Sequence, residues 1–259
     1  MQSQSLRPHP SISLFVKEIV VLEDVETTGA TVLPFYADGY PGLLFQQTDH
    51  GLWVQPHNKQ MPALFLYGQT IQPIELVMRG SYKIIVFQLY PFVLKSFFNV
   101  LPKDLNDNCY DLQQWPNQLG LQTLERLQRQ PGLAARLEII TSLLQLLFQQ
   151  KQQELDHTIA LAIKKIISKN GQLTIGELGA AFHLTQRTFE RRFLQAVGVT
   201  AKQFATIIQF QQSLEQLTHK SHTKMTDIVY ANGFADQSHF IKVFKVFTGR
   251  TPFAFKAKP

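Results

Sequence analysis

Two short helical stretches near the C-terminal end carry polar and basic side chains at positions that suit hydrogen bonding to DNA. In each stretch apolar residues recur every three or four positions and form a buried stripe, which leaves the remaining side chains on an outer face. The candidate contact residues on the two outer faces are Gln186, Arg187, Glu190, Arg191, Gln237, Ser238, Lys242 and Lys245. Arg pairs with the guanine edge, Gln pairs with the adenine edge, and Lys suits phosphate. The predicted chemistry is therefore reading of base edges combined with binding of the DNA backbone.

The two stretches belong to an internal repeat. The pattern Phe189-x3-Phe193-x4-Gly198-x-Thr200 recurs as Phe240-x3-Phe244-x4-Gly249-x-Thr251 at an offset of 51 residues. The apolar segments before them, residues 178–184 and 228–234, match at an offset of 50 residues, so the second turn is one residue longer than the first. A repeated helix, tight turn and helix presents two similar helices to a periodic partner, and the major groove of DNA is the commonest such partner.

A third helical pattern lies between the two units, from Ala201 to about Leu217. About seventeen residues at ~1.5 Å each make a rod of roughly 25 Å. With its flanking turns, such a rod can hold two recognition helices about one DNA turn apart, ~34 Å. One chain would then read two adjacent major-groove segments on one face of the duplex.

The charge distribution supports a nucleic-acid partner for the C-terminal part. Residues 1–156 hold 11 Lys and Arg against 14 Asp and Glu, a net charge of −3, whereas residues 157–259 hold 14 against 5, a net charge of +9. The two parts together give the +6 of the whole chain. A basic C-terminal region beside a mildly acidic remainder is typical of a DNA-binding domain joined to a second domain.

Length and composition indicate two globular domains in a reducing compartment. A chain of 259 residues with 44% hydrophobic residues is long enough for two cores. We expect a cytoplasmic protein without a transmembrane helix, because the N-terminus lacks a signal peptide and no apolar run approaches eighteen residues. The single Cys109 forms no internal disulfide, and with no base beside it in the sequence it is interpreted as a buried small apolar residue.

The N-terminal domain, residues 1–150, is predicted to be a β-barrel or sandwich followed by helices. Short, evenly spaced apolar runs separated by Gly, Pro and Asp predict strands. These are Ser13–Val21, Thr31–Phe35, Leu43–Gln47, Leu52–Gln55, Ala63–Gly68, Ile74–Met78 and Lys83–Leu89. Helices are predicted from Pro91 and over about 119–130 and 133–153. The apolar stripes of the last two helices, which include Leu124 and Leu144, fit packing on the barrel or against a second subunit.

The C-terminal domain, residues 155–259, is predicted to be all-helical, with helix-turn-helix units at about 172–198 and 224–249. Asp156 is positioned to cap the first helix, and Thr174 with Glu177 fits a capping box at the start of the next. The tight turns should contain His183 and Gly233, two residue types that tolerate left-handed backbone geometry. The predicted fold class is therefore α+β.

Residues 157–259 resemble the DNA-binding domain of the AraC/XylS transcriptional regulators. The second unit carries most of the likeness, in the stretch Ile228-x4-Asn232-Gly233-Phe234-Ala235-Asp236-Gln237-Ser238-His239-Phe240-x3-Phe244-Lys245-x3-Gly249-x-Thr251-Pro252. The resemblance implies homeodomain-like helix-turn-helix units and a bacterial transcription factor. It implies base contacts at Arg187, Glu190, Arg191, Gln237, Ser238 and Lys242. Ala201 replaces a proline that is usual in the family, and Gln209 replaces a usual arginine of the linker helix.

Several of these residues have a second interpretation. Glu190 either accepts a hydrogen bond from cytosine or pairs with a neighbouring arginine. Asp236 is interpreted as a helix cap and His239 as a structural residue rather than a DNA contact.

The resemblance also implies that the N-terminal domain senses an effector or dimerises. Residues 33–45 look like a turn and strand of one subgroup of these regulators, whose sensory domain is similar to a cupin barrel. Aromatic residues in this region either line an effector pocket or fill the barrel interior. They are Phe35, Tyr36, Tyr40, Phe45, Trp53, Phe65 and Tyr67.

A metal-dependent, cupin-like enzyme is the alternative from another class of protein. His9, His50 and His57 are the available histidines of the N-terminal domain, and no two of them have the spacing of a metal site. No P-loop, nucleophile elbow or Cys-x-x-Cys occurs either. We therefore expect a protein that is not an enzyme and has no cofactor or metal. Its expected partners are double-stranded DNA, a small-molecule effector, a second copy of the chain and, for an activator, RNA polymerase, and no membrane. A third hypothesis is a regulator whose barrel is packed with side chains and only dimerises.

Overall fold

The N-terminal part of the chain forms two antiparallel β-sheets. The computed structural model describes residues 1–218 and 224–256. The strands are β1 (Gln2–Leu6), β2 (Val16–Asp24), β3 (Ala30–Phe35), β4 (Gly42–Thr48), β5 (Leu52–Gln55), β6 (Lys59–Gln60), β7 (Leu64–Tyr67), β8 (Ile74–Arg79), β9 (Tyr82–Leu89) and β10 (Cys109–Asp111). One sheet has the order β1-β2-β9-β4-β7-β10 and the other the order β3-β8-β5-β6.

The six-stranded sheet has two different faces, because side chains alternate along each strand. On β9, Ile85, Phe87 and Leu89 face outward into the main hydrophobic core, whereas Ile84 and Val86 face inward toward the four-stranded sheet. Strands β4 and β7 follow the same alternation. The inner faces of both sheets therefore enclose a space between them, and the outer face of the larger sheet needs a separate cover.

Three helices provide that cover: α1 (Val93–Phe98), α2 (Leu119–Arg129) and α3 (Leu133–Lys151). Short 3-10 turns lie at Pro102–Leu105, Leu112–Gln114, Pro116–Gln118 and Gln152–Glu154. The apolar stripe of α3, including Ile140, Leu144 and Leu147, is buried in the same core as Phe87 and Phe97. The two sheets together are hereafter called the barrel. The sequence left open whether the apolar stripes of α2 and α3 pack on the barrel or against a second subunit, and the structure shows them packed on the barrel.

The C-terminal part is all-helical, which completes the α+β fold. Its helices are α4 (His157–Ser168), α5 (Ile175–Ala181), α6 (Gln186–Val197), α7 (Ala201–Thr218), α8 (Met225–Ala231), α9 (Gln237–Thr248) and α10 (Pro252–Lys256). The predicted domain 155–259 also includes residues 219–223 and 257–259, which lie outside the described residues. No helix in the described ranges is long and apolar enough to cross a membrane.

The repeat inferred from the sequence is a structural repeat. Helices α5 and α8 begin 50 residues apart and helices α6 and α9 begin 51 residues apart, so the second turn is one residue longer. His183, with φ 53°, and Gly233, with φ 74°, hold the two turns in left-handed geometry as predicted. The predicted capping box is present, because the Glu177 amide donates to Thr174 Oγ1 and the Thr174 amide donates to the Glu177 carboxylate.

Helix α7, hereafter the linker helix, is the common support of both helix-turn-helix units. Phe204 is fully buried and packs against Phe193 of α6 at a ring-centroid distance of 5.8 Å. Two turns further on, Phe210 is fully buried between Phe244 and Phe247 of α9, at 5.5 and 5.0 Å. A single helix thus fixes the position of both second helices of the repeat, through side chains on two of its faces.

The barrel rests against the helical part. A Cβ on Gly39 would lie 3.1 Å from the Ile208 side chain of the linker helix, so the turn that follows β3 sits directly on that helix. Gln211 donates to the carbonyl of Ala37 in the same turn. At a second point, Asn106 Nδ2 donates to the Gly198 carbonyl at the end of α6 over 2.8 Å. The linker helix is therefore in contact with the barrel as well as with both helix-turn-helix units.

Candidate nucleic-acid interface and barrel cavity

The outer face of α6 is free of the protein core. Gln186, Arg187, Glu190 and Arg191 are all exposed, while Phe189 is fully buried on the opposite side of the helix. The Thr185 side chain caps the helix by accepting from the Thr188 amide at 3.3 Å. A rigid, capped helix with an exposed polar face in its first two turns has the form required of a major-groove reader.

An ion pair anchors α6 to the first helix of the domain. Arg192 donates through Nε and Nη2 to the two carboxylate oxygens of Asp156, at 2.9 and 2.6 Å. Asp156 also caps α4 through the amide of Ile159. Hydrogen bonds from Arg192 and from the α4 backbone hold the pKa of Asp156 below its ordinary value despite its partial burial. Arg192 is thus committed to positioning α6, whereas neighbouring Arg191 points away.

Helix α9 repeats the arrangement. Gln237, Ser238, Lys242 and Lys245 are exposed on its outer face. Asp236 is the N-cap, as expected from the sequence, because its carboxylate accepts from the His239 amide at 2.7 Å. The His239 ring lies edge-on to Phe234, with centroids 5.7 Å apart, which fits the structural interpretation of this histidine.

The basic residues on the two faces have no ion partner within the described ranges. None of Arg187, Arg191, Lys242 and Lys245 forms a salt bridge there. Glu190 accepts instead from Gln186 Nε2 at 3.1 Å, so the pairing of Glu190 with an arginine is not what the structure shows. Both outer faces therefore keep their cations available to an external anion.

Two glutamines that the sequence analysis did not include among the candidate contact residues lie between the units. Gln172 Nε2, after α4, donates to the Ala231 carbonyl at the end of α8 over 2.9 Å. Gln209 lies beside both Gly171 and Gly233, at 2.9 and 3.2 Å from where their Cβ atoms would be. Gln209 stands where the family usually has arginine, and here it lies between the two units. A polar residue on the apolar face of a helix is the signal that singles it out.

A second candidate site is the space between the two sheets. It is a cavity of about 380 Å³ whose walls come from both sheets. Most of the wall is aliphatic or aromatic, with contributions from Val20, Leu22, Leu44, Leu52, Val54, Ile74, Leu76, Ile84 and Val86. A concave apolar space with a few polar groups is the usual form of a small-molecule site.

Polar groups gather where β4, β7 and β9 meet the turn after β3. Gln88 Nε2 donates to Asp38 Oδ2 at 3.1 Å, and the Tyr40 amide donates to Asp38 Oδ1 at 2.9 Å. Burial raises the pKa of Asp38 to about 6, and burial together with Asp38 raises the pKa of Tyr67 well above its ordinary value. A Cβ on Gly42 would lie 2.4 Å from Tyr67 Oη, so the missing side chain of Gly42 makes the room for that hydroxyl.

The structure brings together three of the seven aromatics proposed for an effector pocket. Phe35, Phe65 and Tyr67 line the cavity. The other four lie elsewhere, for reasons that differ from residue to residue. Phe45 and Trp53 have the opposite strand parity: the Phe45 ring meets Arg136, and Trp53 donates to the His50 carbonyl. Tyr36 packs on Phe255, and Tyr40 lies under the Lys17 ammonium at the junction with the linker helix.

Three cavity residues were not singled out for this site in the sequence. Gln88 is a polar residue at an inward position of a strand that is otherwise apolar, and that pattern is the signal that identifies it. Cys109 is half-buried and lines the cavity, whereas the sequence suggested a fully buried residue. His57 lies at the cavity wall, but within residues 1–218 and 224–256 no group of three His, Cys, Asp or Glu side chains has the arrangement of a metal site.

The raised pKa of Asp38 gives a testable pH dependence. The folded pKa of about 6 lies above the ordinary value of 3.8. The folded state therefore holds the proton more tightly, and this contribution to stability is complete below pH ~4 and is lost as the pH rises through ~6. The difference between the two pKa values corresponds to at most about 3 kcal/mol. Burial raises the pKa values of Tyr40 and Tyr67, which lie near the carboxylate, so both phenols stay uncharged in this window.

The measurement is urea denaturation of the wild type and the Asp38→Asn variant at several pH values between 4 and 7. Asp156, whose pKa is lowered, contributes stability that changes with pH in the opposite direction. Because Asp156 is present in both proteins, its contribution cancels when their free energies of unfolding are subtracted. We expect the wild type to lose stability relative to the variant as the pH rises. A difference that stays constant across the range would show that Asp38 does not titrate there.

The geometry of the C-terminal part agrees with comparisons to known families and proteins. Residues 178–258 match the family model described as a helix-turn-helix domain, and residues 4–111 match a domain of unknown function, DUF6597. The HTH-type transcriptional activator RhaS of Yersinia pestis (strain Pestoides F) is 36% identical over 69 residues, which are 27% of this chain and 25% of that protein. RhaS of Yersinia pseudotuberculosis (strain IP 31758) matches to the same extent. The chain thus spans about a quarter of the length of the curated relatives it matches.

Two solved structures follow a partly similar chain path. Unsaturated fatty acid bound ToxT from Vibrio cholerae is 13% identical, with 92% of this chain and 94% of that chain covered and a TM-score of 0.47. The C-terminal domain of AraT, a response regulator from Geobacillus stearothermophilus, is 19% identical, with 39% of this chain and 85% of that chain covered and a TM-score of 0.37.

Two capped helix-turn-helix units on one linker helix, with exposed polar faces on both second helices, define the C-terminal part as a double helix-turn-helix domain. The match of residues 178–258 to the helix-turn-helix family model agrees with the resemblance of this domain to the AraC/XylS regulators.

Proposed function

We propose that the protein is a sequence-specific, DNA-binding transcription regulator rather than an enzyme. The observation that carries the proposal is the pair of matched, capped helices α6 and α9, whose outer faces are exposed and polar and whose cations have no ion partner in the described ranges. The relatives whose printed names give a role are regulators of transcription, which supports the same conclusion. Such a protein acts on chromosomal DNA, in the cytoplasm of a bacterium.

The two helices are proposed to read successive segments of the major groove. The linker helix has 18 residues, a length of about 27 Å at 1.5 Å per residue. Adjacent major-groove segments on one face of DNA are ~34 Å apart. The linker helix holds α6 near its start through Phe204 and α9 at its middle through Phe210, which fixes the spacing of the two helices and leaves both outer faces accessible.

Each exposed residue has a proposed role that follows from its chemistry. Arg187 and Arg191 would pair with guanine, and Gln237 with adenine. Glu190 would accept from cytosine N4 and is meanwhile held by Gln186. The remaining residues of the outer face of α9, Ser238, Lys242 and Lys245, would bind a base edge or phosphate, with Lys245 at the phosphate backbone.

The phosphate role gives a quantitative prediction. We expect Lys245→Ala to weaken binding to all DNA sequences about equally and to lower the slope of log affinity against log salt by about one, because one fewer counterion is released. The measurement is fluorescence anisotropy of full-length protein on labelled duplexes at several salt concentrations. Lys256→Ala, which changes a lysine in the short helix α10 outside both outer faces, is the matched control and should keep the wild-type slope.

This experiment also tests the proposed function itself. A DNA regulator must show affinity that falls steeply with salt. Affinity that is absent or independent of salt in the full-length protein would contradict DNA binding through these helices. An effect of Lys245→Ala confined to one base position would leave DNA binding intact but contradict the phosphate role of this lysine.

The N-terminal domain is proposed to modulate the DNA-binding domain. The turn 36–40 touches the cavity through Asp38 and Gln88, and it touches the linker helix through Gly39 and Ala37. A ligand that changes the position of Gln88 would thereby change the packing of the helix that holds α6 and α9. Effector binding would then alter how available or how well oriented the two helices are.

The open cavity favours an effector over the alternative of a barrel that serves dimerisation alone. A barrel filled with side chains would have left no such space, whereas here about 380 Å³ is open between the sheets. Dimerisation through the same domain remains compatible with effector binding. RNA polymerase would be the further partner if this protein, like the relatives named as activators, activates transcription.

A further inference from the structure

The wall of the barrel cavity sets the general character of its ligand. Its aliphatic and aromatic side chains come from both sheets, and several of them, including Val86 and Leu76, are only partly buried because they face the open space. Apolar surface of this kind is best covered by an apolar molecule. A volume of about 380 Å³ lies within the range of small-molecule pockets, ~300–1,000 Å³.

Two residues of the cavity wall each have a buried polar atom without a partner among the described residues, Tyr67 Oη and Gln88 Oε1. Neighbouring atoms cover both, so a ligand reaches them after a small rotation of the two side chains. The orientation of the Gln88 amide follows from Asp38, since an ionised carboxylate only accepts hydrogen bonds and so takes the Nε2 donor. The Oε1 atom is therefore a free acceptor, and the Tyr67 hydroxyl is free to donate. Buried polar atoms without a partner are costly, and a ligand that satisfies both gains affinity from them.

The chemistry around these two atoms selects an uncharged ligand. A ligand carboxylate would lie near the Asp38 carboxylate and would have no hydrogen to give to Gln88 Oε1. A ligand ammonium would leave the Tyr67 hydroxyl hydrogen without an acceptor and would lose its hydration in an apolar cavity. The negative charge of Asp38 would offset little of that loss, because the positive charge of Lys17 already balances part of it. A hydroxyl group, in contrast, donates to Gln88 and accepts from Tyr67 at the same time.

We propose that the barrel cavity binds an uncharged, mostly apolar molecule that carries a hydroxyl group, and that this hydroxyl lies between Tyr67 and Gln88. The inference deepens the proposed function, on which it rests for calling this molecule the effector. The ligand class itself depends only on the cavity and can be tested without DNA.

The test is isothermal titration calorimetry of the full-length protein with four probes that share one apolar body: 4-butylphenol, butylbenzene, 4-butylbenzoate and 4-butylbenzylammonium, all at neutral pH, where Asp38 is ionised. We expect 4-butylphenol to bind about tenfold more tightly than butylbenzene, because two buried polar atoms gain partners. We expect 4-butylbenzoate and the benzylammonium ion to bind more weakly than butylbenzene. Tighter binding of either charged probe, equal binding of phenol and hydrocarbon, or no binding of any probe would overturn the proposal.

Variants locate the binding site. Tyr67→Phe and Gln88→Met should each remove most of the preference for the phenol over butylbenzene while butylbenzene still binds. Tyr110→Phe is the matched control, because this neighbouring hydroxyl donates to the Gln114 carbonyl and is not part of the cavity wall. Leu76→Trp should block all four probes by filling the cavity. A phenol preference that survives in both Tyr67→Phe and Gln88→Met would contradict the assigned position of the hydroxyl.

The same protein is then titrated with DNA in the presence and absence of saturating 4-butylphenol. Phenol binding without any DNA binding would refute the regulator and leave the ligand class standing. DNA binding without phenol binding would refute the ligand class and leave the regulator standing.

Discussion

Replacing Phe210 with alanine should abolish DNA binding by the second unit and lower the free energy of unfolding by about 3–5 kcal/mol. Phe210 is fully buried on the linker helix and lies against two rings of α9, Phe244 and Phe247, at 5.5 and 5.0 Å. Its removal leaves a cavity beneath the helix that carries Gln237 and Lys242. The loss of stability should exceed that of a surface substitution, because the variant loses both the free energy of burying the ring and the packing of the ring against α9.

The measurement combines urea denaturation with DNA binding of the same preparation. Phe253→Ala is the matched control, since Phe253 is 81% exposed and its removal should change stability by less than about 0.5 kcal/mol. Phe210 belongs to a different hydrophobic cluster from the residues that line the inner faces of the sheets, such as Leu44 and Leu52, so the variant should still bind probes of the barrel cavity. Stability equal to that of the control variant would contradict the role of Phe210 as the support of α9.

The second large effect is expected at Arg191. Arg191→Ala should weaken binding to the preferred DNA sequence by about 1–3 kcal/mol and relax the choice of base at one position. Arg191 is exposed on the outer face of α6 and forms no salt bridge in the described ranges. Loss of a bidentate contact to guanine removes a sequence-specific interaction, whereas loss of a phosphate contact would weaken all sequences alike.

Arg192 provides a sharp comparison one residue away. Its guanidinium is held by Asp156, so Arg192→Ala should destabilise the domain and leave the base preference of the folded protein unchanged. Both variants are compared with the wild type by sequencing the DNA that each retains from a random pool. A base profile for Arg191→Ala identical to that of the wild type would refute the assignment of Arg191 to a base.

The local structure of the C-terminal domain could be predicted closely because its signals are local. Caps such as Thr174 and Asp236 bond to amides three residues away, and the spacing of Phe189 and Phe193 alone indicates the buried side of α6. Helix α6, Gln186–Val197, lies at the end of the unit that the sequence predicted at about 172–198. Whether its outer face contacts DNA remains a prediction, since the contacts require the partner.

The barrel cavity was harder to predict because it depends on which face of each strand points inward. Seven strands were expected near their observed positions. The aromatic residues proposed for the pocket were chosen without regard to which face of a strand they occupy, and Phe45 is on the outer face of the sheet. Strand β1 is exposed and polar, so it lacks the apolar pattern that reveals a strand. The polar end of the cavity joins Asp38, Tyr67 and Gln88 from separate parts of the chain, and only the folded sheet brings them together.

Selection of bound sequences from a random DNA pool, with full-length protein at physiological salt, tests the central claim most directly. The proposed function predicts an enriched motif with two parts about one helical turn apart, one for α6 and one for α9. A second copy of that motif would indicate a dimer. The selection is run with and without 4-butylphenol, so that a requirement for an effector is visible in the same experiment. A pool that remains random under both conditions would contradict sequence-specific DNA recognition by this protein.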